Sequence, residues 1–162
     1  MFKHILVPLD GSRFSGQALR YAIEMAQCFG AEVVLMQVVP LTSLPAITIP
    51  SAGEVGTGVT KMVVEEARRQ DIRKVAHAKR YLRKKLQGVV AKGIKGSHHV
   101  VVGAPARSIM EFCQKEGVDL VVMITHGRSG LKRAFVGSVT DELIRESGVP
   151  VLVIRSQRQR KK

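Results

Sequence analysis

The chain has 162 residues, a mean hydropathy of +0.07 and 45% hydrophobic residues, which favours one globular domain with a substantial core over a disordered chain. No apolar run approaches the roughly 20 residues that a membrane helix needs, so membrane insertion is not expected. The formal net charge is +13, and the segment 61–95 holds twelve Lys or Arg against three acidic residues. Such an excess attracts polyanions without determining a fold.

The chain begins with a strand, a helix and a second strand. The apolar run 5–9 predicts a buried strand, the periodic segment 15–28 a helix, and the run 33–39 a second strand. This order is typical of a βαβ unit with parallel strands. Residues 40–60 contain three prolines and three glycines, which predict a long loop, and we expect this loop to fold over the site.

The remaining elements repeat the alternation of strand and helix. A long basic helix is predicted from 61, followed by strands at 100–102, 119–124 and 151–154 and by helices at 104–115 and 138–146. Five strands alternating with four helices predict an α/β fold: a single doubly wound sandwich with a five-stranded parallel sheet. We expect one domain over 1–155 and a basic C-terminal tail over 156–162.

Ligands of such sheets bind beyond the carboxyl ends of the strands, where the winding direction reverses. There, the segment Thr125–Gly130 reads Thr-His-Gly-Arg-Ser-Gly, and Gly137-Ser138 opens the last helix. Glycines and a helix N-terminus leave backbone N–H groups free for phosphate oxygens. A plain turn followed by a serine cap explains the same residues equally well.

Two other strand ends are candidates for the same site. Asp10 could accept hydrogen bonds from ribose hydroxyls or simply hold its own turn. Val38 could pack on a flat base or belong only to the core. Neither a Walker A loop nor a G-x-G-x-x-G motif is present.

Several motifs together resemble the universal stress protein family. They are Ile-Leu-Val-Pro-Leu-Asp-Gly-Ser at 5–12, Gly-Ala-Pro at 103–105, Asp-Leu-Val-Val-Met-Ile-Thr-His-Gly-Arg-Ser-Gly at 119–130, Gly-Ser-Val at 137–139 and Val-Pro-Val-Leu-Val-Ile at 149–154. The resemblance implies a Rossmann-like fold of the adenine nucleotide alpha hydrolase type. It also implies homodimers that pair through the last strand, and two classes that do or do not bind ATP.

The ATP-binding class carries G-x-x-G, nine further residues and then G-[ST]. Here Gly127 and Gly137-Ser138 match this motif, while Ile124 replaces the first glycine. The resemblance implies ATP or a related adenine nucleotide as ligand, with or without Mg²⁺. By the same resemblance the phosphate contacts are Gly127, Gly137, Ser138 and Val139, with Gly130 in the same loop, the ribose contact is Asp10, and the adenine side is formed by Pro8, Val38 and Met123.

The function expected from this resemblance is a nucleotide-dependent sensor or regulator in a stress response. Catalysis is not predicted beyond slow ATP hydrolysis, because Ser12 and Ser129 lack a nucleophile elbow and no general base is evident. The His98-His99 pair lacks the spacing of a zinc site. The alternative function is a dimeric scaffold that binds no nucleotide, whose basic helix at 61–95 and tail bind nucleic acid or acidic proteins without sequence preference.

The two cysteines bear on the cellular compartment. Cys28 and Cys113 both lie in apolar segments with helical periodicity, so the sequence predicts two buried free thiols. Free thiols are typical of a reducing compartment, and the expected location is therefore the cytoplasm.

Overall fold

The computed structural model describes residues 1–12, 14–41, 57–125 and 137–155, although not the side chains of 57–61 and 63. Within these ranges strands and helices alternate: β1 (His4–Pro8), α1 (Ser15–Phe29), β2 (Glu32–Val39), α2 (Thr57–Val90), β3 (Gly96–Val102), α3 (Pro105–Glu116), β4 (Leu120–Thr125), α4 (Ser138–Glu146) and β5 (Val151–Arg155). Within the described ranges, no helix combines the length and the apolar composition that crossing a membrane requires.

The five strands form one sheet in the order β3-β2-β1-β4-β5, and all four neighbouring pairs are parallel. The predicted α/β fold with a five-stranded parallel sheet is therefore confirmed. The winding direction reverses between β1 and β4, because the first half of the chain builds the sheet towards β3 and the second half builds it towards β5.

Each face of the sheet has its own hydrophobic core. Alternate residues of β1 divide between the two faces, so that Ile5 and Val7 pack with α1 and α2 while Leu6 packs with α3 and α4. Because both faces are covered, the central strands are apolar along their whole length, as buried parallel strands require.

Two boundaries differ from the sequence-based prediction. β3 begins at Gly96 and not at Val100, and its seven residues pair with Val33–Val39 of β2. α2 begins at Thr57, so the last four residues of the predicted loop at 40–60 belong to a helix. The rest of that loop, 42–56, lies outside the described residues, as does the basic tail at 156–162.

The prediction of two buried thiols is half wrong. Cys113 of α3 is buried, but Cys28 in the last turn of α1 is exposed. Position 28 lies on the outward side of α1, whose inward side carries Ala18, Ala22 and Ala26. Burial raises the pKa of the Cys113 thiol to about 11.

The two thiols should therefore differ in reactivity. At about pH 8, a disulfide reagent should label Cys28 of the native protein quickly and should label Cys113 only after unfolding, because the attacking species is the thiolate. The measurement is the number of fast-reacting thiols in the native chain. Cys28→Ser should abolish the fast phase and Cys113→Ala should leave it intact; a fast phase that survives Cys28→Ser would contradict the burial of Cys113.

Candidate functional site

A cavity of about 290 Å³ lies at the carboxyl ends of the strands, where the winding direction reverses. Its walls come from the ends of β1, β2 and β4 and from the N-terminal turns of α1, α3 and α4. This volume is at the lower end of the range for small-molecule sites. The neighbouring segments 42–56 and 126–136 are not among the described residues.

Seven of the nine residues predicted to form the site line this one cavity. They are Pro8, Asp10, Val38, Met123, Gly137, Ser138 and Val139. The other two, Gly127 and Gly130, lie outside the described residues. The structure thus brings together residues that are up to 131 positions apart in the sequence, but their role in binding a ligand stays a prediction.

Much of the cavity lining is apolar. Pro8, Val38 and Met123 stand at the ends of three adjacent strands, and they are joined by residues that the sequence analysis missed. Those residues are Leu9, Met36, Pro105 and Ile109. Such a wall offers packing to a flat, weakly polar ligand group and no charged partner.

The cavity lining also contains the N-terminus of α4. The helix begins at Ser138 with Gly137 as its N-cap, and no side chain of the described residues caps it. The first backbone bond within the helix runs from the Asp141 N–H to the Gly137 carbonyl at 2.9 Å. The N–H groups of Ser138, Val139 and Thr140 precede this bond, so α4 presents uncapped donors and the positive end of its dipole at residues that line the cavity.

Two details favour an anion at this end of the cavity. A Cβ placed on Gly137 would meet no atom within 4 Å among the described residues, so the space in front of the first turn is open. Asp141, the acidic residue of that turn, forms an ion pair with Arg145, which weakens its repulsion of a second negative charge. The Ser138 hydroxyl is not the helix cap that the plain-turn interpretation required.

Asp10 lies in a tight turn after β1. The Ser12 N–H donates to Asp10 Oδ1 at 2.8 Å, and Gly11 between them has a φ of 82°, a conformation that favours glycine. One carboxylate oxygen of Asp10 therefore holds the turn, as one of the two interpretations of this residue predicted. Because Asp10 also lines the cavity and is exposed, the turn holds its carboxylate at the cavity edge.

α2 approaches the same edge through Tyr81. Burial raises the pKa of the Tyr81 phenol, the Ser15 hydroxyl lowers it in part, and the negative charge of Asp10 raises it further. Ser15 is buried at the start of α1 and lines the cavity. Ser15 and Thr140 were also missed by the sequence analysis, because small hydroxyl residues in first helical turns are read as capping residues.

Ile124 replaces a motif glycine without filling the cavity. It continues β4 as a strand residue paired with Ile154, and it is buried in the core on the α1 side of the sheet. Its neighbour Met123 packs in the opposite core. Ile124 contributes to the cavity edge, but its side chain is a core side chain.

Sequence comparison identifies the family of the chain. Residues 1–155 match the model of the Universal stress protein family. The chain belongs to the universal stress protein family. It is 31% identical to the universal stress proteins MJ0531 and MJ0577 of Methanocaldococcus jannaschii, over 98% and 96% of this chain and 85% and 96% of theirs.

Structural comparison agrees with this membership. The solved structure of hypothetical protein MJ0577 superposes with a TM-score of 0.75 at 28% identity, covering 98% of this chain and 99% of that one. The fold implied by the sequence motifs, that of the adenine nucleotide alpha hydrolases, is therefore the fold of this universal stress protein. Among the described residues, no group of three or more His, Cys, Asp or Glu is placed to hold a metal ion.

Restoring the motif glycine should harm the fold. Ile124→Gly removes a buried side chain and adds backbone freedom to a strand, so we expect a loss of roughly 3–5 kcal/mol in the free energy of unfolding. Ile124→Val should cost only about 0.5–1.5 kcal/mol. Urea denaturation measures both variants, and a neutral Ile124→Gly would contradict the core position of this side chain.

Proposed function

We propose that this universal stress protein binds ATP or a related adenine nucleotide in the cavity between β1 and β4 and acts as a nucleotide-dependent sensor or regulator. The proposal rests on one observation, which is that the cavity lining combines apolar residues with a helix N-terminus. An apolar wall that suits a base lies in the same cavity as the uncapped N-terminus of α4, which suits phosphates.

The proposed contacts follow from this arrangement. The base packs on Pro8, Val38 and Met123, the ribose hydroxyls donate to the Asp10 carboxylate, and the phosphates accept from the N–H groups at the start of α4. Gly127 and Gly130 are proposed to complete the phosphate contacts. We propose that any Mg²⁺ binds together with the nucleotide, coordinated by its phosphates.

Two solved relatives support the choice of ligand. A universal stress protein in complex with cAMP has a TM-score of 0.64 and 22% identity, and one from Archaeoglobus fulgidus in complex with dAMP has a TM-score of 0.60 and 19% identity. In those two proteins the common fold holds an adenine nucleotide. For this chain, the support is the cavity itself.

Regulation follows from ligand linkage and needs no catalytic residue. A ligand at 100 times its dissociation constant stabilises the bound state by about 2.7 kcal/mol. Because the cavity is built from the ends of three strands and the starts of three helices, such a ligand would tie together elements from both halves of the chain. The proposal does not depend on whether the bound ATP is slowly hydrolysed.

Calorimetric titration with ATP, in the presence and absence of Mg²⁺, tests the phosphate end. Gly137→Glu introduces a negative charge beside the uncapped N–H groups, and we expect it to weaken ATP binding at least about tenfold. Gly137→Ala is the matched control, since the space around a Cβ there is open. Adenosine, which has no phosphates, should bind both variants alike; equal ATP affinity of the two variants would contradict the phosphate assignment.

The ribose end is tested separately by a second pair of variants. Asp10→Asn retains an acceptor for the Ser12 N–H but removes the charge, whereas Asp10→Ala removes both. Both should weaken adenosine and ATP together, because hydrogen bonds to charged groups contribute about 1.5–3 kcal/mol. If every adenine nucleotide gives no heat with the wild-type protein, the alternative of a scaffold without nucleotide replaces this proposal.

The proposal includes a cytoplasmic homodimer. The free thiols Cys28 and Cys113 support the location, since reduced cysteines are typical of the cytosol. For the dimer, β5 is an edge strand of five residues that pairs with β4 on one side, and an unpaired edge favours association with a second copy.

Light scattering of the purified chain tests the dimer. At micromolar concentration we expect twice the monomer mass of 17.7 kDa. A monomer mass under these conditions would refute pairing through β5.

A further inference from the structure

From residue 72 onward, α2 and the turn that follows it carry charges of one sign only. Residues 72–92 include eight Lys or Arg and no Asp or Glu. The cations are Arg73, Lys74, Lys79, Arg80, Arg83, Lys84, Lys85 and Lys92. A solvated helix that serves only solubility usually carries both signs of charge along its exposed side.

Four of the α2 cations form a straight row, which we call the cationic row: Arg69, Arg73, Arg80 and Lys84. Their spacings of four, seven and four residues return to the same side of a helix, and all four side chains are exposed. The buried residues Ala78, Leu82 and Val89 lie on the opposite side. From its first to its last member the cationic row is about 22 Å long, given 1.5 Å per residue.

The cationic row also lacks the ion pairs that join basic and acidic side chains one turn apart on the other helices. On α1, α3 and α4, ion pairs at i,i+4 join Arg20 to Glu24, Arg107 to Glu111 and Arg145 to Asp141. Across the described part of the chain, no member of the cationic row forms an ion pair. Glu65 and Glu66 lie one turn before Arg69, whereas Arg73, Arg80 and Lys84 have no acidic residue three or four positions away on α2.

We propose that the cationic row binds the phosphodiester backbone of double-stranded nucleic acid without sequence preference. A duplex carries one negative charge per about 1.7 Å of axis, so the cationic row can lie along on the order of a dozen phosphates. Lys and Arg contacts to phosphate need no base readout.

The packing of α2 favours nucleic acid over a membrane surface. A helix that binds in a lipid interface buries its apolar side in the lipid. The apolar side of α2 is already buried against the sheet through Ala78, Leu82 and Val89. What remains for a partner is a charged side, which matches a polyanion in water.

The test uses the full chain and a labelled duplex of about 30 base pairs, with fluorescence anisotropy measured between about 50 and 200 mM salt. The variant Arg73→Gln, Arg80→Gln, Lys84→Gln removes three charges of the cationic row. The matched control Arg107→Gln, Lys115→Gln, Arg145→Gln removes three exposed charges from α3 and α4. Circular dichroism verifies that both variants are folded, and glutamine has a helix propensity close to that of the replaced residues.

The expected result is a difference in salt dependence. Each lost phosphate contact should reduce the slope of log K against log salt by about 0.9, so the row variant should lose about 2.7 and its affinity should fall more than about tenfold at 0.1 M salt. The control should keep a slope close to that of the wild type. Gly137→Glu should leave duplex binding intact, because the cationic row does not depend on the nucleotide cavity.

Three results would overturn the proposal. The first is an equal salt slope for the row variant and the control, because the effect would then come from net charge alone. The second is an absence of duplex binding by the wild-type protein at about 50 mM salt. The third is a row variant that no longer binds phosphatidylserine vesicles but binds the duplex as well as the wild type does.

Discussion

β1 pairs in parallel with β2 on one side and with β4 on the other, and this double pairing determines where a ligand can enter the molecule. After β1 the chain turns to α1 on one face of the sheet, whereas after β4 it turns to α4 on the other face. α1 and α4 thus lie on opposite faces of the sheet, and the cavity lies at the carboxyl ends of β1 and β4. The position of the cavity therefore follows from the order of the strands, and the side chains that line the cavity determine how polar it is.

Two separate features of the molecule attract anions, and they act over different ranges. The dipole of α4 is effective only within its first turn, so it acts only on a charge close to the cavity lining. The field of the cationic row extends about 10 Å at 0.1 M salt and can attract a larger polyanion from solution. Because the row lies on the outer side of α2, neutralising it should leave the cavity unchanged, which makes the two proposed functions separable.

Hydrophobic periodicity predicted all five strands and four helices, because each buries a recognisable apolar side. It missed the start of β3, where Gly96, Ser97, His98 and His99 are held by pairing with β2 and not by their own hydrophobicity. The strand ends of the site followed from parallel topology. Ser15, Thr140 and Ile109 could not, because their place on the cavity wall depends on how first and second helical turns pack.

The alternation of β4 places position 124, the first position of the family motif, and its neighbour 123 in different cores. Met123 packs in the core that α3 and α4 cover and Ile124 in the core beneath α1, although both residues line the cavity. Exchanging glycine for isoleucine at position 124 therefore requires space in the core beneath α1 as well as at the cavity edge. The cavity at this edge of the sheet is present with isoleucine at position 124, so its existence does not depend on the motif glycine.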